Sequence, residues 1–359
     1  MARPARARLD AQALHHNLQQ VRSHAPKARV LAVVKANGYG HGLAWVANTL
    51  KEADGFAVAS TEEGMQLRLA GVIKPVMLLE GFFSADELPA LQLRQLSPVL
   101  HNEQQLHLLE SHPAALPHAV WVKLDTGMHR IGFAPEQLTD VLARLHKLKG
   151  IHDIRAMTHF ANADDMANAA TRTQIELFRS KVNSLGLETS LANSAGIVAW
   201  PESHADWVRP GIMLYGGSPL LGKTAEELNL KPVMTLESAL IAVHQRRQGE
   251  AIGYGGDFVC PEDMPVGVVA IGYGDGYPRH APAGTPVLVN GSRVPLVGRV
   301  SMDMITVDLR AQPKARVGDP VVLWGEGLPV DEVAAKAGTI SYEILCHVAE
   351  RIPRVVMKG

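Results

Sequence analysis

The sequence predicts an α/β protein: an N-terminal parallel (β/α)8 barrel of the TIM type over residues 10–230, then a mainly β C-terminal domain over 231–359, which the opening segment 1–9 joins as a strand. Three observations predict it. Short apolar runs alternate with amphipathic stretches through the first two-thirds of the chain, about eight times, the number a closed parallel barrel requires. Near residue 230 the alternation stops and strand-like runs follow one another. The length of 359 residues suits roughly two domains.

The elements follow in order. Arg6-Ala-Arg-Leu9 alternates with the period of a strand and can pair with the C-terminal domain. Asp10 is the expected N-cap of a helix running to Ala25, with Leu14, Leu18 and Val21 on one face. Barrel strands are expected at 31–35, 55–60, 76–81, 96–101, 120–126, 154–160, 189–194 and 207–215. Between them lie helical stretches such as 61–70 and 135–145, where Leu138, Leu142 and Leu145 recur at helical spacing. Beyond residue 230, strands are expected at 236–243, 266–273, 286–290, 305–309 and 321–324. Asn290-Gly291 is a two-residue hairpin signal, and one helix, 330–337, is stopped by Gly338.

Composition narrows the function. Lys+Arg 35 against Asp+Glu 36 leaves a net charge of −1, which disfavours a nucleic-acid partner or an anionic membrane surface. No apolar segment reaches the length of a membrane span, and no signal-peptide core follows Arg3, Arg6 and Arg8. The two cysteines, Cys260 and Cys346, have no metal-ligand spacing, and Cys346 falls in an apolar run that reads as core. A reducing cytoplasm, a small-molecule substrate and no metal are the expectations.

Lys35 is the most informative residue. It ends the apolar run Val30–Val34 and is followed by glycines at 38, 40 and 42, so its amine is delivered toward a crowded loop at a strand end. Desolvation there would supply the neutral amine needed for a Schiff base, although a strand-end lysine can equally point into water. In a parallel barrel, phosphate is often held by the loops after the last two strands. There the chain carries Asn193-Ser194-Ala-Gly196, opening a short helix, and Arg209-Pro-Gly211-Ile212, where Gly211 permits close backbone approach. A strand-end lysine with a phosphate cradle points to pyridoxal 5'-phosphate, whose aldehyde takes the one and whose phosphate takes the other.

These residues sit in longer motifs, and through them the chain resembles the alanine racemase family nearly end to end. Val34-Lys-Ala-Asn-Gly-Tyr-Gly-His-Gly42 resembles the family's cofactor-lysine motif, with Gly38 where alanine is more usual. Trp207-Val-Arg-Pro-Gly-Ile212 resembles its pyridine-nitrogen motif and Gly253-Tyr-Gly255 its second-base motif. Gly272-Tyr-Gly-Asp-Gly-Tyr-Pro-Arg279 and Gly298-Arg-Val-Ser-Met-Asp303 resemble its C-terminal motifs.

The resemblance implies roles residue by residue. Lys35 would bind pyridoxal phosphate covalently and act as base on the D face of alanine. Tyr254, contributed by the partner in a homodimer with shared sites, would be the base on the L face. Arg209 would donate to the pyridine nitrogen, with His159 helping to orient it. Tyr39, Ser194, Gly211, Ile212 and Tyr342 match phosphate-holding positions, with Asn193 in support. Arg130 and Met302 match substrate-carboxylate contacts, with Asp303 nearby. Tyr273 and Arg279 match residues that line the entrance or support the second base. Lys123 matches a lysine that some members carry as a carbamate.

Other functions fit less well. A decarboxylase on the same plan would need a Gly-Gly-Gly phosphate loop and a cysteine motif, and neither is found. A non-catalytic pyridoxal phosphate carrier would lack the region after Lys231. A metal-dependent barrel hydrolase is disfavoured because no His-x-His pair occurs among 16 histidines.

Overall fold

A computed structural model describes residues 3–357; positions 1–2 of the expected first strand, and 358–359 of the expected second domain, lie outside the described residues. Eight parallel strands close into the expected barrel: β2 (Arg29–Val33), β3 (Gly55–Val58), β4 (Val76–Leu78), β5 (Leu96–Leu100), β6 (Ala119–Lys123), β7 (Asp153–Met157), β8 (Thr189–Asn193) and β9 (Trp207–Arg209). β2 pairs with β9 to seal it. The preceding strand β1 (Arg6–Leu9) lies outside the barrel, and the helix between them, Ala11–His24, is capped by Asp10, which accepts from the amides of Gln12 and Ala13. Leu14, Leu18 and Val21 are its buried stripe.

Several barrel strands stop short of expectation, and the reasons are local. The strand expected at 207–215 ends at Arg209 because Pro210 cannot donate to a ladder; a 3-10 turn, Ile212–Tyr215, follows. The strand expected at 154–160 ends at Met157, which leaves His159 beyond it in a loop. The strand expected at 31–35 ends at Val33, and Lys35 opens a left-handed turn.

The C-terminal part is mainly β. Its strands are β10 (Met234–Arg246), a small pair β11 (Ala251–Ile252) and β12 (Phe258–Val259), then β13 (Met264–Val269), β14 (Pro286–Val289), β15 (Ser292–Val297), β16 (Ile305–Asp308), β17 (Pro320–Trp324) and β18 (Arg354–Val356). β14 and β15 turn through Asn290 and Gly291, both at positive φ as a two-residue hairpin requires. β10 pairs with β13, with β17 and, antiparallel, with β1, which also pairs with β18. The N-terminal strand is therefore part of the C-terminal sheet, as its alternation implied. One core runs without interruption from the barrel into this sheet, from Leu31 and Val122 to Leu236 and Trp324.

The expected helix at 330–337 spans Val330–Lys336, with Gly338 at positive φ beyond it. A second short helix, Ser341–Cys346, had no counterpart in the sequence reading. It corrects the placement of Cys346, which is half-buried in the wall of a cavity rather than in the core.

Candidate active site

A cavity of about 490 Å³ opens at the C-terminal ends of the barrel strands. The barrel supplies Lys35 after β2, Leu79 after β4, Arg130 after β6, His159 after β7, Asn193 and Ser194 at the end of β8, and Arg209, Gly211 and Ile212 from β9 and its turn. The helix Ser341–Cys346 and the residue before it close one side with Ile340, Tyr342, Glu343 and Cys346. Ten residues singled out in the sequence thus meet in one place, Tyr39 among them.

Lys35 is half-buried and leads into an unusual backbone. Ala36, Asn37, Gly38 and Tyr39 have φ of 53°, 54°, 62° and 51°, four consecutive left-handed residues. Each non-glycine costs roughly 1–2 kcal/mol there, so Gly38, the position where the chain departs from the family motif, lightens the strain. Gly40 follows at φ 79°, against the backbone of Leu345. His41 is fully buried under this turn, its Nδ1 2.8 Å from the Tyr39 carbonyl and its ring tilted against Tyr215 at 4.8 Å between centroids. Burial pushes its pKa down to about 4, so the imidazole is neutral.

Arg209 is buried, and its hydrogen bonds go to neutral oxygens: Nη1 to the Ser190 hydroxyl at 2.5 Å, and Nη2 to the carbonyls of Thr158 at 2.7 Å and Leu191 at 3.1 Å. Its Nη2 lies 3.5 Å from His159 Nδ1. Burial lowers its pKa to about 10, which still leaves it charged near neutral pH. His159 is held well below its ordinary pKa by burial, and then by the charges of Arg209, Lys123, Arg130 and Lys35. A neutral imidazole can accept from the guanidinium. Gln174, which the sequence reading did not single out, fixes this segment by donating to the His159 carbonyl at 3.1 Å and accepting from the Ala161 amide.

Lys123 is buried at the end of β6 with its pKa lowered to about 8, first by burial and then by Arg209 and Arg130. Asp125, two residues on, accepts from the amides of Gly127, Met128 and His129 and so shapes the loop that carries Arg130.

The opposite end of the cavity suits an anion. The Ser194 hydroxyl accepts from the amides of Gly211 at 2.8 Å and Met213 at 3.4 Å, which leaves its own hydrogen to donate. A Cβ on Gly211 would stand 2.5 Å from the Tyr39 hydroxyl, so only glycine keeps this corner open. Burial pushes the hydroxyls of Tyr39 and Tyr342 up in pKa and keeps both as donors. Asn193 instead spends its side chain on the Gly196 amide, capping the short helix Ser194–Ala199.

Five residues are not brought here. Tyr254, Tyr273, Arg279, Met302 and Asp303 all lie in the C-terminal part, away from the lining of the Lys35 cavity. Tyr254 is 67% exposed, Met302 54% and Tyr273 40%. Asp303 is tied to Arg351 at 2.7 Å. Among the described residues no cluster of His, Cys, Asp and Glu could hold a metal ion, and no helix is long and apolar enough to cross a membrane.

Comparison with known proteins covers nearly the whole chain. The model of the alanine racemase N-terminal domain matches residues 9–219, and that of the C-terminal domain matches 233–356. An alanine racemase from Vibrio cholerae is 52% identical over 349 residues, covering 97% of both chains. The crystal structure of a biosynthetic alanine racemase from Pseudomonas aeruginosa superposes with a TM-score of 0.97 at 45% identity, over 99% of this chain and 100% of that one. An alanine racemase from Bartonella henselae, solved with covalently bound pyridoxal phosphate, superposes with a TM-score of 0.90 at 28% identity, over 99% of each chain.

Proposed function

The chain belongs to the alanine racemase family and interconverts L- and D-alanine, and we propose that it does so with pyridoxal phosphate on Lys35 and two bases, Lys35 and a partner subunit's Tyr254. One observation carries this: a strand-end lysine, a buried arginine and an anion cradle line a single cavity. The residues fit the cofactor. Ser194, Tyr39 and Tyr342, gathered at the Gly211–Ile212 turn, would hold its phosphate, Arg209 would face its ring nitrogen, and Lys35 would take its aldehyde. When bound, pyridoxal phosphate supplies an electron sink that acidifies the Cα–H of alanine.

The chain's own groups do the rest. Arg209 can only donate, so it leaves the ring nitrogen largely without a proton, tempers the sink and disfavours proton return at the wrong carbon. Lys35 moves a proton on the D face and Tyr254 on the L face, since inversion requires a proton removed from one side and delivered to the other. A positioned base of this kind contributes roughly 10²–10⁴ in rate. Arg130 and the partner subunit's Met302 contact the alanine carboxylate with Asp303 nearby, and Tyr273 and Arg279 line the entrance or support the second base. The exposure of Tyr254 and Met302 in one chain supports a homodimer in which each C-terminal domain closes its partner's barrel. We assign the domains to 10–230 and to 231–359 together with the segment 1–9, and the enzyme to the cytoplasm. Polarimetry with L-alanine, and with serine, lysine and arginine beside it, tests the reading: loss of rotation with alanine and its abolition in Lys35→Ala are expected, and an unaffected Lys35→Ala enzyme overturns it.

A further inference from the structure

The turn that carries Lys35 is left-handed over four residues, and such a backbone persists only where its surroundings over-determine it. Two charged side chains do so from opposite sides, and neither was marked by the sequence motifs. Glu63, from the helix Thr61–Leu69, gives one carboxylate oxygen to the Ala36 amide at 2.7 Å and the other to the Ala59 amide at 2.8 Å. It thereby joins the residue after Lys35 to the end of β3. Arg354, in β18, donates to the Gly40 carbonyl from Nε at 3.1 Å and from Nη2 at 3.0 Å. Its remaining bonds reach the carbonyls of Val348, Ala349 and Ile352, so the same guanidinium fixes the chain that follows the cavity-wall helix.

Both groups direct their hydrogen bonds at backbone, where charge-assisted bonds are short and strong. Inside the turn the remaining groups are paired locally: Gly38 N to Val34 O, Gly40 N to Ala36 O, Gly42 N to Asn37 O, and the Leu43 amide to Asn37 Oδ1. These bonds hold the turn's own shape, and its position relative to barrel and sheet is set from outside. We propose that Glu63 and Arg354 are positioning residues of the racemase site, a two-sided clamp on the Ala36–Gly40 turn that fixes where the Lys35 amine stands.

The proposal rests on the reading of Lys35 as the cofactor lysine, and the test separates the two. Apoprotein is mixed with pyridoxal phosphate, quenched with borohydride at successive times, and the label on Lys35 is quantified; kcat and KM for alanine are measured on the holoenzyme. Glu63→Gln keeps the size but turns a donor toward one of the two amides. Arg354→Met removes every donor, and Arg354→Lys restores a few. Glu63→Gln and Arg354→Met are expected to slow labelling and lower kcat by about tenfold, with KM within about twofold, because a small misplacement of a reacting group costs rate more than binding. Arg354→Lys is expected to recover part of both. Should Glu63→Gln fail to fold, the Arg354→Met and Arg354→Lys pair carries the test. Labelling as fast as wild type in folded variants overturns the clamp, as does a rise in KM alone. Absence of label in the wild-type protein would instead overturn the reading of Lys35.

Discussion

Replacing Gly40 by alanine tests the docking of the lysine turn on the C-terminal part. An added Cβ would stand 2.0 Å from the Leu345 carbonyl oxygen and 3.0 Å from its carbon, both backbone atoms, at φ +79°. The left-handed conformation costs roughly 1–2 kcal/mol and the overpacking about 1–3 kcal/mol, together about 2–5 kcal/mol. At about 1.3 °C per kcal/mol for a chain of this length, the apoprotein should melt roughly 3–7 °C lower. Gly38→Ala is the internal control. Its Cβ would meet the Val46 Cγ2 methyl at 2.8 Å, a side chain on the short helix Leu43–Thr49, and no backbone carbonyl blocks it. It should cost the conformational part, about 1–2 kcal/mol, plus the shift of one buried Val46 methyl, and still less than a clash with backbone. Differential scanning calorimetry of the two apoproteins, with racemisation assayed alongside, measures the ranking. Gly40→Ala should also lose kcat, because the turn must withdraw from Leu345 and carry Lys35 with it. Equal melting temperatures for Gly40→Ala and Gly38→Ala, or a Gly40→Ala enzyme as active as wild type, would refute the docking argument.

Arg209→Glu should slow racemisation and raise the share of turnovers that end in pyruvate, read by coupling to lactate dehydrogenase; an unchanged product ratio counts against a contact with the ring. Ser194→Ala removes the acceptor of the Gly211 and Met213 amides and a donor to the phosphate, so pyridoxal phosphate should dissociate about 5–30-fold more readily, for a loss of about 1–2 kcal/mol in equilibrium dialysis. Stability should fall with acid through His41: its folded pKa near 4 lies below the free value of about 6.5, so the unfolded chain binds the extra proton between them. Denaturant melts should show stability lost as pH drops from about 6.5 toward 4, and a shallower loss in His41→Gln.

Much of this was legible in the sequence because strong local signals and tertiary demands agreed. Asp10 capping its helix, Asn290-Gly291 turning a hairpin and the alternation of Arg6 to Leu9 each settle an element by short-range chemistry. The site was legible for a different reason: Lys35, Ser194 and Arg209 stand at or just beyond the ends of β2, β8 and β9, where a barrel gathers its loops. What the sequence hid was long-range. Arg354 bonds to Gly40 across most of the chain, and Glu63 resembles any acid in the first turn of a helix. The four left-handed residues were equally hidden, since Ala36, Asn37 and Tyr39 carry no preference for that backbone strong enough to read. The overrun at β9 was avoidable, because Pro210 is a strand breaker in plain view.

The central claim is that Lys35 and Tyr254 are two bases of one site drawn from two subunits. Lys35→Ala and Tyr254→Phe chains carrying different affinity tags can be co-expressed and the doubly tagged dimer purified. In that dimer one site carries both lesions, and the other pairs an intact Lys35 with an intact Tyr254. The expected result is racemisation near half the wild-type value per dimer, from parents that are each nearly inactive. Activity no higher than that of the parents would contradict the claim, placing both residues within one chain or removing Tyr254 from the chemistry.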